Sequence, residues 1–499
     1  MKPPRWAWAP ALLAAGGLHT ASFAPLEWWP LQILSLALLA RSVHDVRPGV
    51  AAVRGFWFSL GWLVSGLWWL YISMHDYGGM PAPLAALAVV LLSAALSLYI
   101  AGAMAGYAWL RPTGAWRPVL AFGACWLLAE LARAQFLTGF PWIASGYAHS
   151  SGPLAALAPW VGVYGIGAVA ALLAAALAGV GRGGRSAAVL GAVIAGVALA
   201  GLLPREFTSS TGMLRVSLLQ PNIAQDLKFD PDRIVANMAA LQSQLASAQG
   251  DLVVTPESVL PVPRDQLDPA YWAQLTAPFR VGTRAALLGT FLGNDSDGYV
   301  NSLVGVSAAG EDYTYGKRHL LPFGEFVPPG FRWFVDLMQI PLGDQAHGRS
   351  EAAFEAGGQR LRPLICYEDL FGEDFAASVM GPHAATVLVN ASNLAWFGPH
   401  MIQDQHLQFS RMRAIEFERP LVRSTNTGAT AVVDHRGRVT ARLLPMTVGV
   451  LEAGVEGRLG STPYAWWLSR WGLWPAWGLA LAGLWVALRR PNARPHRPA

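Results

Sequence analysis

Three polar residues stand where short apolar, strand-like runs end: Glu257 after Leu-Val-Val-Thr-Pro, Lys317 after Tyr-Thr-Tyr-Gly, and Cys366 after Pro-Leu-Ile. Together these side chains are the parts that acyl transfer requires. A thiolate attacks, a carboxylate takes and returns its proton, and an ammonium lowers the thiol pKa and faces the developing oxyanion. Singly, each has a plainer reading. A cysteine at a strand end is most often a small buried apolar group, a glutamate after proline a helix start or surface carboxylate, and a loop lysine a solvated cation. The other cysteine, Cys125, lies in the apolar run Phe-Gly-Ala-Cys-Trp-Leu-Leu, where a thiol is expected to be chemically silent. No disulfide between the two is expected. No metal-ligand cluster or dinucleotide loop is evident in the sequence, so no metal and no other cofactor is expected.

The elements that must position the three residues lie in a stretch of ordinary polarity, residues 205–460. Short β-branched runs alternate there with helical stretches. The pattern predicts strands at 214–219, 252–255, 286–291, 361–365, 386–389 and 430–433, and helices at 232–248, 369–380 and 402–418. Asp230-Pro231 supplies a cap and a proline start for the first helix. Near-continuous apolar strands indicate sheets covered on both faces, an α/β sandwich.

The rest of the chain is of another kind. Hydrophobic residues make up 53% of the 499 and charged residues only 13%, against roughly 25% in soluble domains. Residues 1–203 are almost wholly apolar. A bilayer core of about 30 Å takes roughly 20 helical residues. Spans are accordingly expected at 6–24, 28–41, 54–73, 82–110, 117–135, 158–180, 186–203 and 471–488, the first being retained rather than cleaved as a signal. With the N-terminus inside, the cytoplasmic segments hold Lys2, Arg5, Arg41, Arg47, Arg54, Arg111, Arg117, Arg182, Arg185, Arg489, Arg490, Arg494 and Arg497. The short outside loops hold only Arg133, with Arg470 just before the last span, as the positive-inside rule requires. The layout is a seven-span bundle (1–204), an extracytoplasmic domain (205–460), and a last span with a cytoplasmic tail (461–499). The net charge of +5 therefore reports topology, and no nucleic-acid partner is expected. Tryptophans near span ends, including Trp28, Trp29, Trp68, Trp69, Trp466, Trp467 and Trp471, read as an interfacial belt.

Thr255-Pro256-Glu257, Gly316-Lys317 with Leu321-Pro322-Phe323-Gly324-Glu325, and Ile365-Cys366-Tyr367-Glu368 resemble the nitrilase (carbon–nitrogen hydrolase) superfamily. Gly139-Phe140-Pro141-Trp142 and the run from Asn390 to Gly398 narrow the resemblance, as do Gln405-His406-Leu407-Gln408 and Arg411-Met412-Arg413-Ala414. Over essentially its full length the chain is similar to the membrane-embedded apolipoprotein N-acyltransferase family. The resemblance implies an α-β-β-α nitrilase-type sandwich outside the cytoplasmic (inner) membrane, with Glu257 as general base, Lys317 as oxyanion-stabilising group and Cys366 as nucleophile. Glu325 would orient Lys317, the Tyr367 backbone N–H would be the second oxyanion donor, and Glu368 would support the nucleophile. It also implies a membrane phospholipid as acyl donor and a diacylglyceryl lipoprotein as acceptor, joined by a Cys366 thioester, with the protein a monomer.

Further residues are expected to contact substrate or form a lid: Trp142, Phe229, Trp333, Phe334, Asn390, Asn393 and Trp396. For Asn390 and Asn393, loop stabilisation is the equal alternative. The lid expectation rests on the aromatic stretch from Phe326 to Ile340, which a soluble domain would gain little by exposing. At two positions the sequence departs from the family pattern: Phe229 stands where tryptophan is common, and Leu394 where aspartate is. Two other functions fit part of the sequence. One is a membrane-tethered amide hydrolase using the same triad; the other is an inactive lipoprotein-binding scaffold, which would have no need of all three residues.

Overall fold

The computed structural model describes residues 8–228, 230–333, 344–348 and 352–489. Its strands, from Thr208 to Gly460, form two six-stranded sheets packed face to face. The first holds β1 (Thr208–Gln220), β2 (Leu252–Val254), β3 (Ala285–Asn294), β4 (Gly298–Val306), β5 (Tyr313–Gly316) and β12 (Gly449–Gly460), in the order β12-β1-β2-β3-β4-β5. The second holds β6 (Phe354–Ala356), β7 (Gln359–Ile365), β8 (Val387–Ser392), β9 (Leu421–Thr425), β10 (Ala431–Val433) and β11 (Val439–Arg442), in chain order. Each sheet has a parallel centre, β1-β2-β3 and β7-β8-β9, with antiparallel strands at its margins. The central strands do not alternate apolar with polar residues, because both of their faces are covered, as the apolar runs Leu252–Val254 and Val387–Val389 require.

Val216, Leu218, Leu252, Val254 and Leu287 of the first sheet meet Leu361, Ile365, Val387, Val389 and Val422 of the second, which makes the inter-sheet core. The outer face of the first sheet is covered by helix Pro231–Ser247 and the shorter Pro269–Thr276. Asp230 caps the former, its side chain accepting from the Asp232 N–H at 2.9 Å. The outer face of the second sheet is covered by helix Ile402–Phe417. That helix is buried at 14 of its 16 positions, although many of them are polar. The reason is that its far side lies against the apolar helices of the N-terminal half. Gln408 accepts from the Ala24 N–H (3.1 Å), and Glu416 from the Val163 N–H (2.6 Å).

The apolar helices are Trp8–Thr20, Trp29–Val43, Pro48–Leu67, Ala82–Leu110, Arg117–Gln135, Ala158–Ala178, Gly184–Ala200 and the bent pair Pro463–Trp471 with Trp474–Leu488. Small residues let some of them touch. A Cβ on Gly61 would lie 2.0 Å from the Leu13 carbonyl oxygen, and one on Gly16 would lie 1.9 Å from that of Phe58. Among the described residues four helices are long and apolar enough to cross a membrane, or five with the bent pair counted as one.

Several expected boundaries are corrected. The expected span 54–73 ends at Leu67, and a broken turn follows through Tyr77. The expected span 471–488 is Trp474–Leu488, set at 97° to Pro463–Trp471 where Gly472 takes φ +54° and Pro475 restarts the helix. The expected helix 369–380 is three short turns, Cys366–Leu370, Gly372–Phe375 and Ala376–Val379. Gly372 explains part of the break, since a Cβ there would lie 2.6 Å from the Arg413 guanidinium. Strands β4, β5, β6, β9, β11 and β12 are not among the expected six.

Candidate active site

The C-terminal ends of β2, β5, β7 and β8 converge, and they bring Glu257, Lys317, Cys366 and Asn390–Asn393 to one place. Lys317 is buried between two carboxylates: its Nζ lies 2.6 Å from Glu325 Oε1 and 3.3 Å from Glu257 Oε1. Burial alone would favour the neutral amine, but the two carboxylates outweigh it and hold Lys317 firmly protonated. Glu257 Oε1 also accepts from Asn301 Nδ2 (2.7 Å), and Oε2 accepts from the Asn393 backbone N–H (2.9 Å). Burial pushes the Glu257 carboxyl up, yet Lys317, Lys228 and these hydrogen bonds together hold it below the usual range. Glu257 is therefore ionised and oriented.

Cys366 takes φ +52°, a left-handed conformation uncommon for a residue with a side chain. Two donors hold its carbonyl, Asn390 Nδ2 at 3.0 Å and His406 Nε2 at 3.1 Å. Burial and the Glu257 charge raise the thiol pKa, while Lys317 opposes them. The resting group is thus the thiol. This differs from the lowered pKa that lysine alone would give, because burial and the carboxylate together outweigh the ammonium.

Glu368 clasps two segments. Its Oε1 accepts from the backbone N–H of Arg318 (2.7 Å) and His319 (3.3 Å), and its Oε2 from the Ile365 N–H (2.7 Å) and the Tyr315 hydroxyl (2.8 Å). The loop after Lys317 is thereby tied to the strand before Cys366. Glu325 Oε2 accepts from the Leu321 N–H at 2.8 Å, which fixes the carboxylate that holds Lys317. The Tyr367 side chain is buried and donates to the Gly139 carbonyl at 3.1 Å.

The remaining expected residues divide. Trp142 is buried in the wall of a narrow pocket beside Cys366, with Trp69, Phe140, Leu321, Leu394 and Phe397. Asn390 and Asn393 are both buried and hydrogen-bonded into the site, Asn393 also donating to Gln225 Oε1 (2.8 Å). Trp396 is exposed, its ring edge-on to Tyr77 at 6.0 Å, and Trp333 is exposed too. Phe229, Phe334 and the rest of 334–343 lie outside the described residues. Cys125 is buried in helix Arg117–Gln135, and both cysteines are free. Among the described residues no cluster of three or more His, Cys, Asp or Glu side chains could hold a metal ion.

Sequence reasoning missed four supporting residues. Asn301 bridges Glu257 and Glu325 (3.2 Å to the latter) from within β4. Lys228 is buried behind Glu257, 2.7 Å from Ser258 Oγ and 3.3 Å from the Glu257 carbonyl; burial brings its pKa down to about 8, against the pull of Glu257. His406 and Arg423 share the buried Asp369 (3.0 and 3.1 Å) beside Cys366. A lysine, a histidine and an arginine at buried positions would have been the signal, but burial is not visible in a sequence.

Residues 15–176 match the family model described as the apolipoprotein N-acyltransferase N-terminal domain, and residues 215–464 match the carbon-nitrogen hydrolase model. The chain is similar to the apolipoprotein N-acyltransferase of Verminephrobacter eiseniae, with 48% identity covering 94% of each chain. It is similar to that of Ralstonia nicotianae at 44% identity, covering 97% of this chain and 93% of the relative. For the Bordetella bronchiseptica protein of the same name the figures are 41%, 100% and 99%.

Proposed function

The chain belongs to the apolipoprotein N-acyltransferase family, and from that membership we propose that Cys366, Lys317 and Glu257 carry a two-step acyl transfer. The enzyme is an acyltransferase of lipoprotein maturation; the named relatives favour neither a tethered amide hydrolase nor an inactive scaffold. The observation that carries the residue assignment is Lys317 Nζ held between Glu257 and Glu325, with its charge and that of Glu257 both felt at Cys366.

In the first step Glu257 takes the Cys366 thiol proton as sulfur adds to an ester carbonyl of a membrane phospholipid. Lys317 and the Tyr367 backbone N–H face the oxyanion. The carbon–oxygen bond to glycerol then breaks, and Glu257 returns the proton to the departing oxygen. A lysophospholipid and a Cys366 thioester result. In the second step the neutral α-amino group of an S-diacylglyceryl-cysteine adds to the thioester carbon. Glu257 takes the proton that this nitrogen sheds and passes it to the departing sulfur. The product amide is more stable than the thioester, so the second step runs downhill.

The apolar helices make this a bacterial membrane protein. The finer arrangement is part of the proposal: eight spans, the last at 471–488; both termini cytoplasmic; and residues 205–460 as an extracytoplasmic catalytic domain between a bundle (1–204) and a final span with tail (461–499). The thirteen basic residues expected on the inner side support it, as does the 97° bend, which would lay Pro463–Trp471 in the interface. The enzyme acts as a monomer in this reading.

Intact-protein mass spectrometry after incubation with phosphatidylethanolamine tests the assignment. Wild type should gain one fatty-acyl mass, Cys366→Ala should not, and a diacylated lipopeptide should discharge it. An adduct that survives Cys366→Ala, or one that the lipopeptide does not remove, would overturn it.

A further inference from the structure

Two tryptophans wall the pocket beside Cys366, and neither belongs to the sandwich. Trp69 follows helix Pro48–Leu67, and Trp142 follows helix Arg117–Gln135. Their rings lie 5.0 Å apart, centre to centre. Each is nearly or wholly withdrawn from solvent, and a buried indole N–H needs a partner. One atom serves both, although Trp69 Nε1 also donates to the Gly66 carbonyl at 3.0 Å. Gln405 Oε1, from the buried helix Ile402–Phe417, accepts from Trp142 Nε1 at 2.8 Å and from Trp69 Nε1 at 3.2 Å. The amide cannot turn over, because Gln405 Nε2 donates to the Gly66 carbonyl at 3.3 Å and also meets the Met401 sulfur. A flipped amide would set N–H against N–H at both indoles.

The backbone of the same wall is held separately. Arg133 Nη1 donates to the carbonyls of Phe140 (2.9 Å) and Trp142 (2.8 Å). The ring of Trp142 is further pinned edge-on to Phe409 at 4.8 Å. Gln405 sets where two indoles from two different helices stand relative to each other. Those indoles, with Phe397 edge-on to Trp69 at 4.8 Å, bound the space an apolar chain on Cys366 sulfur would enter.

We propose that Gln405 is a positioning residue that fixes the Trp69–Trp142 wall, and that this wall selects the length of the acyl chain taken onto Cys366 and keeps water from the thioester. The inference rests on the acyl-enzyme reading above. Gln405 touches neither the reacting atoms nor the triad, so its loss acts through the two rings. A leucine or methionine at this position fills the volume but accepts nothing. The Trp142 N–H then loses its partner and the Trp69 N–H keeps only the Gly66 carbonyl at 3.0 Å, so the two rings are no longer tied to one atom and the wall loosens.

The test uses full-length protein in detergent with phosphatidylethanolamine of mixed chain length. Intact mass reports which chains are attached, and how fast the adduct disappears without acceptor. Wild type should favour a narrow range of chains and hold them. Gln405→Met should still form the adduct but with a flattened chain profile and loss to water about tenfold faster, the scale expected when one buried hydrogen-bonded group is left unpaired. Trp142→Phe and Trp69→Phe keep a ring and remove a single donor, so each should shift the profile the same way. Combined with Gln405→Met, Trp142→Phe should add little, because the bond it removes is already gone. An unchanged profile and an unchanged discharge rate in Gln405→Met would overturn the proposal, as would full additivity with Trp142→Phe. Should Gln405→Met fail to fold, the two phenylalanine variants decide alone, and wild-type behaviour in both would refute it. Absence of any Cys366 adduct in wild type would instead strike the acyl-enzyme reading.

Discussion

Glu325→Gln should slow acyl-enzyme formation by about tenfold to about 150-fold, the cost of one lost charge-assisted bond of about 1.5–3 kcal/mol. The reasoning starts from which lone pairs are in use. Glu325 Oε1 holds Lys317 Nζ at 2.6 Å and Asn301 Nδ2 at 3.2 Å, while Oε2 accepts from the Leu321 N–H at 2.8 Å. Both oxygens face donors, so an amide cannot replace the carboxylate in either orientation. With its oxygen toward Lys317, its NH2 confronts the Leu321 N–H; turned over, it confronts the ammonium. Lys317 then leans on Glu257, now 3.3 Å away, and a base engaged by its neighbour accepts a thiol proton less readily. Rapid-quench sampling with intact mass gives the rate of the first step, and discharge to a diacylated lipopeptide gives the second. Both should fall by similar factors, because Lys317 faces an oxyanion in each. A variant that melts like wild type and forms the thioester within about twofold of its rate would refute the orienting role of Glu325.

Four further outcomes follow from the geometry. Glu368→Gln turns an acceptor for two donors into a donor, leaving buried groups unpaired at about 1–3 kcal/mol each; it should lower the melting temperature in detergent and abolish thioester formation, and an unshifted melt would contradict the clasp. The first step should lose its base only below the usual glutamate value of about pH 4.3, because the Glu257 carboxyl is held down. By linkage, the stability that the ionised form contributes is present above that pH and fades as pH falls through the depressed folded value. Lys228→Met removes one of the charges holding it, so the acid limb of the pH–rate profile should move up; superimposable profiles would show that the Lys228 charge is not felt. Trp333→Ala should slow transfer from vesicle lipid more than from a soluble short-chain ester, since Trp333 stands exposed with Phe331 and Phe323, and equal losses with a lowered melt would assign it to packing.

The sequence showed where chemistry could sit more readily than what holds it there. Glu257, Lys317 and Cys366 stand out as residues at the ends of strand-like runs, but each alone has a plainer reading, and their expected roles come from the family motifs around them. Asn301 does not stand out, because asparagine reads as a turn former and β4 has no clean alternation around it. Helix Ile402–Phe417 was placed to within a residue by its length. Its near-total burial was not foreseeable, since Gln405, His406, Gln408, Arg413 and Glu416 look like a solvated face until a second body is packed on them. The segment after Cys366 carries helix-forming residues, yet the N–H donors converging on Glu368 coil it into short turns. Local propensity lost there to the hydrogen bonds that Glu368 gathers around Cys366.

Helix Ile402–Phe417 also bears on how divisible the chain is. The two family matches, 15–176 and 215–464, suggest modules that could be separated at the loop between them. Cutting there would strip one side of this helix, leaving the Gln405 amide and the Glu416 carboxylate without the groups they bond to across the boundary. The excised sandwich would then carry a raw, partly apolar seam, and adhesion of copies to one another would follow. Whatever the ancestry of its halves, the polypeptide is a single unit for expression, for engineering and for the inheritance of mutations.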